Sequence, residues 1–252
     1  MNKIVLITGA TSGIGKACAI KFAQNNYYLI ITGRRKEILN KLADDLVRKY
    51  KVEVLPLNFD VRDREQVKAN IDSLPDSWKK IDVLINNAGL AVGLDPIQEG
   101  DIDDWERMID TNIKGLLYVS RVVMPLMIKN KKGHIINIGS IAGKETYPKG
   151  NVYCATKHAV DSLTKAMRID LLEYGIKVTQ ISPGAVETEF SIVRFKGDKE
   201  TIGKVYKGFT PLKAKDVAEV VYYVTTLPKH VNINDMLIMP TAQANAGRIN
   251  KV

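Results

Sequence analysis

Cysteine and histidine are scarce: the 252 residues contain two cysteines, Cys18 and Cys154, and three histidines. Neither cysteine lies in a C-x-x-C or Cys/His spacing, so a disulfide framework and a zinc site are both unsupported, and reduced, packed thiols are expected. No metal is expected. No apolar run reaches about 18 residues, the length a membrane-crossing helix needs. The first residues already form a strand pattern, without the charged segment and cleavage site of a secretory leader. A cytoplasmic protein is therefore expected. Internal repeats and low-complexity linkers are also lacking, which argues against an array of small modules.

The chain carries a net charge of +9 and a pI of about 9.3. Such a balance attracts anions, but its distribution argues against a nucleic-acid module. The lysines are scattered, the main basic clusters are Lys129 to Lys132 and Arg34 to Lys36, and no basic-aromatic interleaving occurs. A hydrophobic content of 45% is ample for one sizeable core in a chain of this length. One domain spanning residues 1–252 is expected.

Short β-branched runs alternate with helical patterns along the whole chain, which predicts an α/β fold with a doubly wound parallel sheet of about seven strands and helices on both faces. The run Lys3 to Thr8 leads into Gly9-Ala-Thr-Ser12-Gly13-Ile14-Gly15 and a helix from about Lys16. Glycines there permit tight turning, and the free N–H groups at the helix start suit a pyrophosphate. The spacing is G-x-x-x-G-x-G, which departs from the general G-x-G-x-x-G dinucleotide fingerprint.

The next strand, Tyr28 to Thr32, ends in Gly33-Arg34-Arg35. An acidic residue at this point would hold the ribose 2′-OH of NAD; two arginines suit a 2′-phosphate instead, which favours NADP. Asp60 and Val61 follow a third strand at the edge where ligands gather. Asp60 either contacts an adenine amine or caps the helix beginning near Asp63. A fourth strand, Ile81 to Ile85, runs into Asn86-Asn87-Ala88-Gly89, a candidate cofactor floor. Asn112 sits inside a helix expected over about Ile102 to Lys129, where an amide needs a local partner or an ordered water. Ser140 ends a strand and either donates to a substrate oxygen or starts a turn.

Tyr153-Cys-Ala-Thr-Lys157 places a phenol and an ammonium on one face of a helix expected to end at Gly175. Their reference pKa values are about 10 and 10.4, and a neighbouring cation favours phenolate, so the pair is suited to exchanging a proton with an alcohol or carbonyl. The same spacing also arises on any amphipathic helix. Beyond Ser182-Pro183-Gly184, the segment from about 184 to 211 is too long for a plain connection and predicts a substrate loop. Arg194 lies in it, free either to bind an anionic substrate or to stay solvated.

Taken in order, Gly9-x-x-x-Gly13-x-Gly15, Asn86-Asn-Ala-Gly89, Ser140, Tyr153-x-x-x-Lys157 and Pro183-Gly184 resemble the short-chain dehydrogenase/reductases over essentially the full length. The resemblance implies a Rossmann fold in which Tyr153 is the acid/base, Lys157 tunes it and holds the nicotinamide ribose, Ser140 orients the substrate oxygen, and Asn112 holds a relay water. It implies cofactor contacts from Gly9, Ser12, Gly13, Ile14 and Gly15 in the first turn, and from Arg34, Arg35, Asp60 and Val61 at the next two strand ends. Asn86, Asn87, Ala88, Gly89, Pro183, Gly184, Val186 and Thr188 would complete that set. Tyr147 and Arg194 would join Ser140 and Tyr153 around the substrate.

A narrower likeness, carried by Thr188-Glu-Phe-Ser191-x-Val-Arg-Phe-Lys-Gly197, by Thr226-Leu-Pro228-x-His-Val-Asn-Ile-Asn234 and by Pro240-Thr-x-Gln243, is to NADP-dependent 3-hydroxy acid dehydrogenases. It implies L-allo-threonine, serine and 3-hydroxypropionate or malonic semialdehyde as substrates, and a homotetramer. Two other readings remain at this point: reduction of another carbonyl such as a 3-ketoacyl-acyl-carrier-protein, and a non-catalytic NADP(H)-binding sensor or scaffold.

Overall fold

Val5 and Ile7 pack into one layer of the core and Ile4 and Leu6 into the other, because successive side chains of a strand point to opposite faces. The computed structural model describes residues 2–252. Strands β1 (Ile4–Ile7), β2 (Tyr28–Gly33), β3 (Val54–Asn58), β4 (Ile81–Asn86), β5 (His134–Ile138) and β6 (Lys177–Pro183) belong to the main sheet. Two-residue strands β7 (Val186–Glu187) and β8 (Leu212–Lys213) form a separate ribbon, and β9 (Asp235–Ile238) returns to the main sheet. The seven main strands are all parallel, in the order β3-β2-β1-β4-β5-β6-β9. The expected doubly wound sheet is therefore present.

Helices α1 (Gly13–Gln24) and α2 (Lys36–Tyr50) cover one face, and α3 (Arg64–Asp72) covers the other. α4 (Ile102–Ile109) leads through a π-turn, Asp110–Gly115, into α5 (Leu116–Lys129). α5 and α6 (Asn151–Asp170) join α3, through Val119, Val123, Val160 and Met167. α7 (Phe190–Arg194) and α8 (Lys199–Val205) lie in the segment after β7, and α9 (Ala214–Thr226) packs with α1 through Val217 and Val221. The order in which the strands are laid down across the sheet reverses at β1, which pairs in parallel with both β2 and β4. In open α/β sheets ligands bind at the carboxyl ends of the strands at such a point.

Four local expectations change. α1 starts at Gly13 rather than Lys16, so the glycine turn itself winds into the helix. The single helix expected over 102–129 contains the π-turn: Asn112 engages Leu90 from inside it, and Gly115 packs where a Cβ would lie 2.7 Å from Val61 Cγ2. Inserted π-turns of this kind concentrate at functional sites. Asp63, not Asp60, caps α3, accepting from the Glu65 and Gln66 amides. The segment 189–210, expected as a polar connection, carries two short helices, α7 and α8. Gly175 does close the end of α6, at φ 66° after a short 3-10 turn. Among the described residues no helix is long and apolar enough to cross a membrane.

Candidate active site

The turn after β1 brings backbone against backbone so closely that side chains are excluded. A Cβ on Gly15 would lie 2.3 Å from the Gly9 oxygen and 2.5 Å from Asn87 Nδ2, and Gly9 itself has φ +66°, a region glycine occupies freely. Asn87 Nδ2 donates to the oxygens of Thr8 and Gly9 at 2.9 and 3.2 Å, while Thr8 Oγ1 accepts from the Asn87 and Ala88 amides. These bonds lock the β1 and β4 turns together. Ser12 makes no side-chain cap to α1, and no acidic residue occupies the first turn. The helix N-terminus thus retains its anion-binding capacity.

A cavity of about 560 Å³ opens over this turn and is bordered by Arg34 and Asp60 as well as by Tyr153 and Arg194. Arg34 lies 3.6 Å from Asp60, and Arg62 pairs with the same carboxylate at 2.7 Å. Arg35 donates to Thr11 Oγ1 and the Thr11 oxygen, and its Nη1 pairs with Glu189 at 3.0 Å. The uncapped helix end, the glycine cradle and two guanidinium groups form a donor set that fits a dinucleotide with a 2′-phosphate.

At the other end, α6 presents Tyr153 and Lys157, both buried. Lys157 Nζ donates to the Ile138 oxygen at 2.9 Å, and burial depresses its pKa to about 8. Burial raises the Tyr153 pKa, and the Tyr147 phenol adds to this. The Ser140 hydroxyl and the Arg194 guanidinium pull it down. Ser140 Oγ accepts from the Ala142 amide at 3.1 Å, leaving its own proton available to another oxygen.

The segment after β7 closes over this corner. Phe190 packs 5.7 Å from the Tyr153 ring, centroid to centroid. The Arg194 guanidinium carbon lies 5.4 Å from the Tyr147 ring centre and 5.6 Å from that of Tyr153, within cation–π range. Its Nε is buried without a hydrogen-bond partner, and its main-chain oxygen accepts from the Gly93 amide at 3.0 Å. A buried, unpaired guanidinium N–H beside a phenol and a serine hydroxyl suits a small substrate bearing an anionic group.

The profile of the short chain dehydrogenase family matches residues 3–199. The chain belongs to this family. It is 50% identical over 245 residues to the NADP-dependent 3-hydroxy acid dehydrogenase of Salmonella typhi, covering 97% of each chain. It is 47% identical to sulfoacetaldehyde reductase 2 of Chromohalobacter salexigens, over 97% of this chain and 96% of that one. Among solved structures, the closed form of a serine dehydrogenase complexed with NADP+ superposes with a TM-score of 0.92 at 47% identity, covering 97% of both chains.

In this short-chain dehydrogenase the cavity wall includes most of the positions expected from sequence: Gly9, Ser12, Gly13, Ile14, Arg34, Arg35, Asp60, Val61, Asn87, Ala88 and Gly89 on one side. Ser140, Tyr147, Tyr153, Lys157, Pro183, Gly184, Val186, Thr188 and Arg194 complete it. Three expected positions stand behind the wall. Gly15 supports the turn. Asn86 Nδ2 donates to Ser120 Oγ and Asn137 Oδ1. Asn112 exchanges bonds with the Leu90 main chain at 2.8 Å each way and donates to Thr156 Oγ1. Conversely, Thr11, Glu189 and Gln243 border the cavity without having been anticipated. Gln243 accepts from the Ala185 amide at 2.8 Å, a contact across 58 residues that carries no local sequence signal.

Proposed function

We propose that this chain is an NADP-dependent oxidoreductase that moves a hydride between the cofactor and the 3-carbon of a small 3-hydroxy acid. L-allo-threonine, serine and 3-hydroxypropionate, with malonic semialdehyde as the reduction substrate, form the class. When bound, the nicotinamide supplies the hydride acceptor or donor. The protein supplies position and proton handling.

Tyr153 exchanges the proton of the substrate hydroxyl, and the Ser140 hydroxyl holds the same oxygen in place. Lys157, anchored on Ile138, holds the ribose side of the cofactor and, when protonated, favours phenolate. Asn112, fixed by Leu90 and Thr156, braces the π-turn beside that corner and orders a relay water. Arg34 and Arg35 read the 2′-phosphate, Asp60 and Val61 border the adenine, and the glycine turn cradles the pyrophosphate. Pro183, Gly184, Val186 and Thr188 face the nicotinamide end. Arg194 takes the substrate carboxylate through its fork of N–H groups, and Tyr147 stacks beside it.

The observation that carries the substrate class is the Arg194 guanidinium packed over the Tyr147 and Tyr153 rings with an unpaired buried Nε. A guanidinium accepts a tetrahedral oxyanion as readily as a planar one. Together with the 47% identical sulfoacetaldehyde reductase, this favours a second reading in which a two-carbon sulfonate aldehyde is reduced. A homotetramer and a cytoplasmic location accompany the proposal, as does a single catalytic domain with its substrate loop at about 184–211. The test is a panel with purified protein and NADP(H), comparing 3-hydroxypropionate, L-allo-threonine, serine, sulfoacetaldehyde and an acyl thioester. Turnover restricted to the thioester, or no turnover at all, overturns the assignment.

A further inference from the structure

Arg35 is shared by three parts of the chain. It stands at the N-terminus of α2, its Nε and Nη2 hold Thr11 of the glycine turn at 3.2 and 3.1 Å, and its Nη1 holds Glu189 Oε2 at 3.0 Å. Glu189 is the residue from which α7 starts, so this ion pair fastens the near end of the substrate loop to the arginine placed on the 2′-phosphate. The adjoining Thr188 reaches the glycine turn itself, its Cβ lying where a Cβ on Gly13 would come within 3.4 Å. The middle of the loop is held separately, by the Gly93 amide on the Arg194 oxygen and by Lys196 on Asp104 at 2.7 Å.

We infer that Glu189 is a cofactor-discriminating residue: it occupies Arg35 when no 2′-phosphate is present and surrenders it when one arrives, so the near tether of the substrate loop depends on which dinucleotide is bound. The inference rests on the NADP reading above. A carboxylate and a phosphate both seek the same guanidinium, and as like charges they repel each other across it. With NAD, the pair persists and Arg35 stays compensated. With NADP, the phosphate takes the arginine and Glu189 turns to solvent, where it is already 54% exposed. Glu189 therefore weakens NADP binding while leaving NAD binding alone, and the two cofactors leave the loop unequally tethered.

The experiment uses half-cofactors that do not reach the nicotinamide end, so that no turnover is involved. Binding of 2′,5′-ADP and of 5′-AMP is measured by calorimetry for the wild type, Glu189→Gln and Glu189→Ala. Both variants are expected to bind 2′,5′-ADP about threefold or more tightly than the wild type, in line with a partly exposed ion pair, with 5′-AMP unchanged. Trypsin cleavage within Lys196–Lys207 is followed in parallel. Saturating 2′,5′-ADP is expected to accelerate it in the wild type and to have no effect in the variants. Equal changes for both nucleotides, no change for either, or cleavage indifferent to 2′,5′-ADP in the wild type overturns the inference. A wild type that binds 5′-AMP as tightly as 2′,5′-ADP instead overturns the NADP reading itself, which separates the two failures.

Discussion

Lys157 Nζ donates to the main-chain oxygen of Ile138, the last residue of β5. The ammonium is thereby tied to the end of β5, while the groups that pull Tyr153 toward phenolate against its burial are the Ser140 hydroxyl and then the Arg194 guanidinium, each on a different segment.

Burial of Lys157 has a consequence for stability. Its amine holds a proton to about 10.5 in the unfolded chain and only to about 8 in the folded one. The folded state binds fewer protons between those values, so stability rises with pH across that window, and below it the buried ammonium costs about 3 kcal/mol. Lys157→Met is expected to be more stable than the wild type at pH 7 without cofactor, with the difference shrinking from pH 8 to pH 10.5. Urea titrations at pH 7 and 10 read this out; a variant less stable at pH 7 would contradict it.

Tyr153→Phe removes only the titrating oxygen. Turnover is expected to fall by about 10²–10⁴-fold, the usual range for a lost general acid/base, while NADPH still binds, as seen in its fluorescence. A variant retaining wild-type turnover would remove Tyr153 from the mechanism.

Arg34→Ala combined with Arg35→Ala is expected to raise the dissociation constant for NADP+ about tenfold or more, since charge-assisted bonds to a phosphate are lost. NAD+ affinity should shift far less. Losses of equal size for the two cofactors would place the arginines elsewhere.

Arg194→Gln is expected to raise the KM for 3-hydroxypropionate by about tenfold or more while changing the KM for an uncharged aldehyde little. Because the guanidinium also lowers the Tyr153 pKa, the alkaline rise of kcat/KM in the oxidation direction should move to higher pH, and Arg194→Lys should restore part of it. An unmoved pH profile would mean that Arg194 touches the substrate without tuning the phenol.

Gly15→Ala places a Cβ against the fixed Gly9 oxygen, and overpacking of this kind typically costs about 1–3 kcal/mol. Gly203→Ala, with nothing within 4 Å of its added Cβ in α8, is expected to be neutral or stabilising by up to about 1 kcal/mol. Thermal denaturation of the two variants measures the contrast.

Much of this fold was legible because periodicity is local. Strand runs such as Ile4–Ile7 and Ile81–Asn86 announce themselves by composition, and the turns that follow them by glycine and asparagine. The glycine turn, the arginines after β2 and the Tyr153/Lys157 spacing could be read for the same reason: each is a short-range pattern whose chemistry follows from residue type and position after a strand or on a helix. The sequence by itself thus determined the sheet class, the positions of the loops that carry function and the inventory of groups available.

Tertiary structure decided which groups meet. That Lys157 faces Ile138, that Asn112 opens a π-turn to grasp Leu90, that Glu189 closes on Arg35 across 154 residues and that Arg194 lies over two phenols all depend on how distant segments dock. The physical reason is that burial and charge pairing are properties of surroundings assembled from separated stretches, and a residue's own sequence neighbours specify neither its desolvation nor the partner it finds.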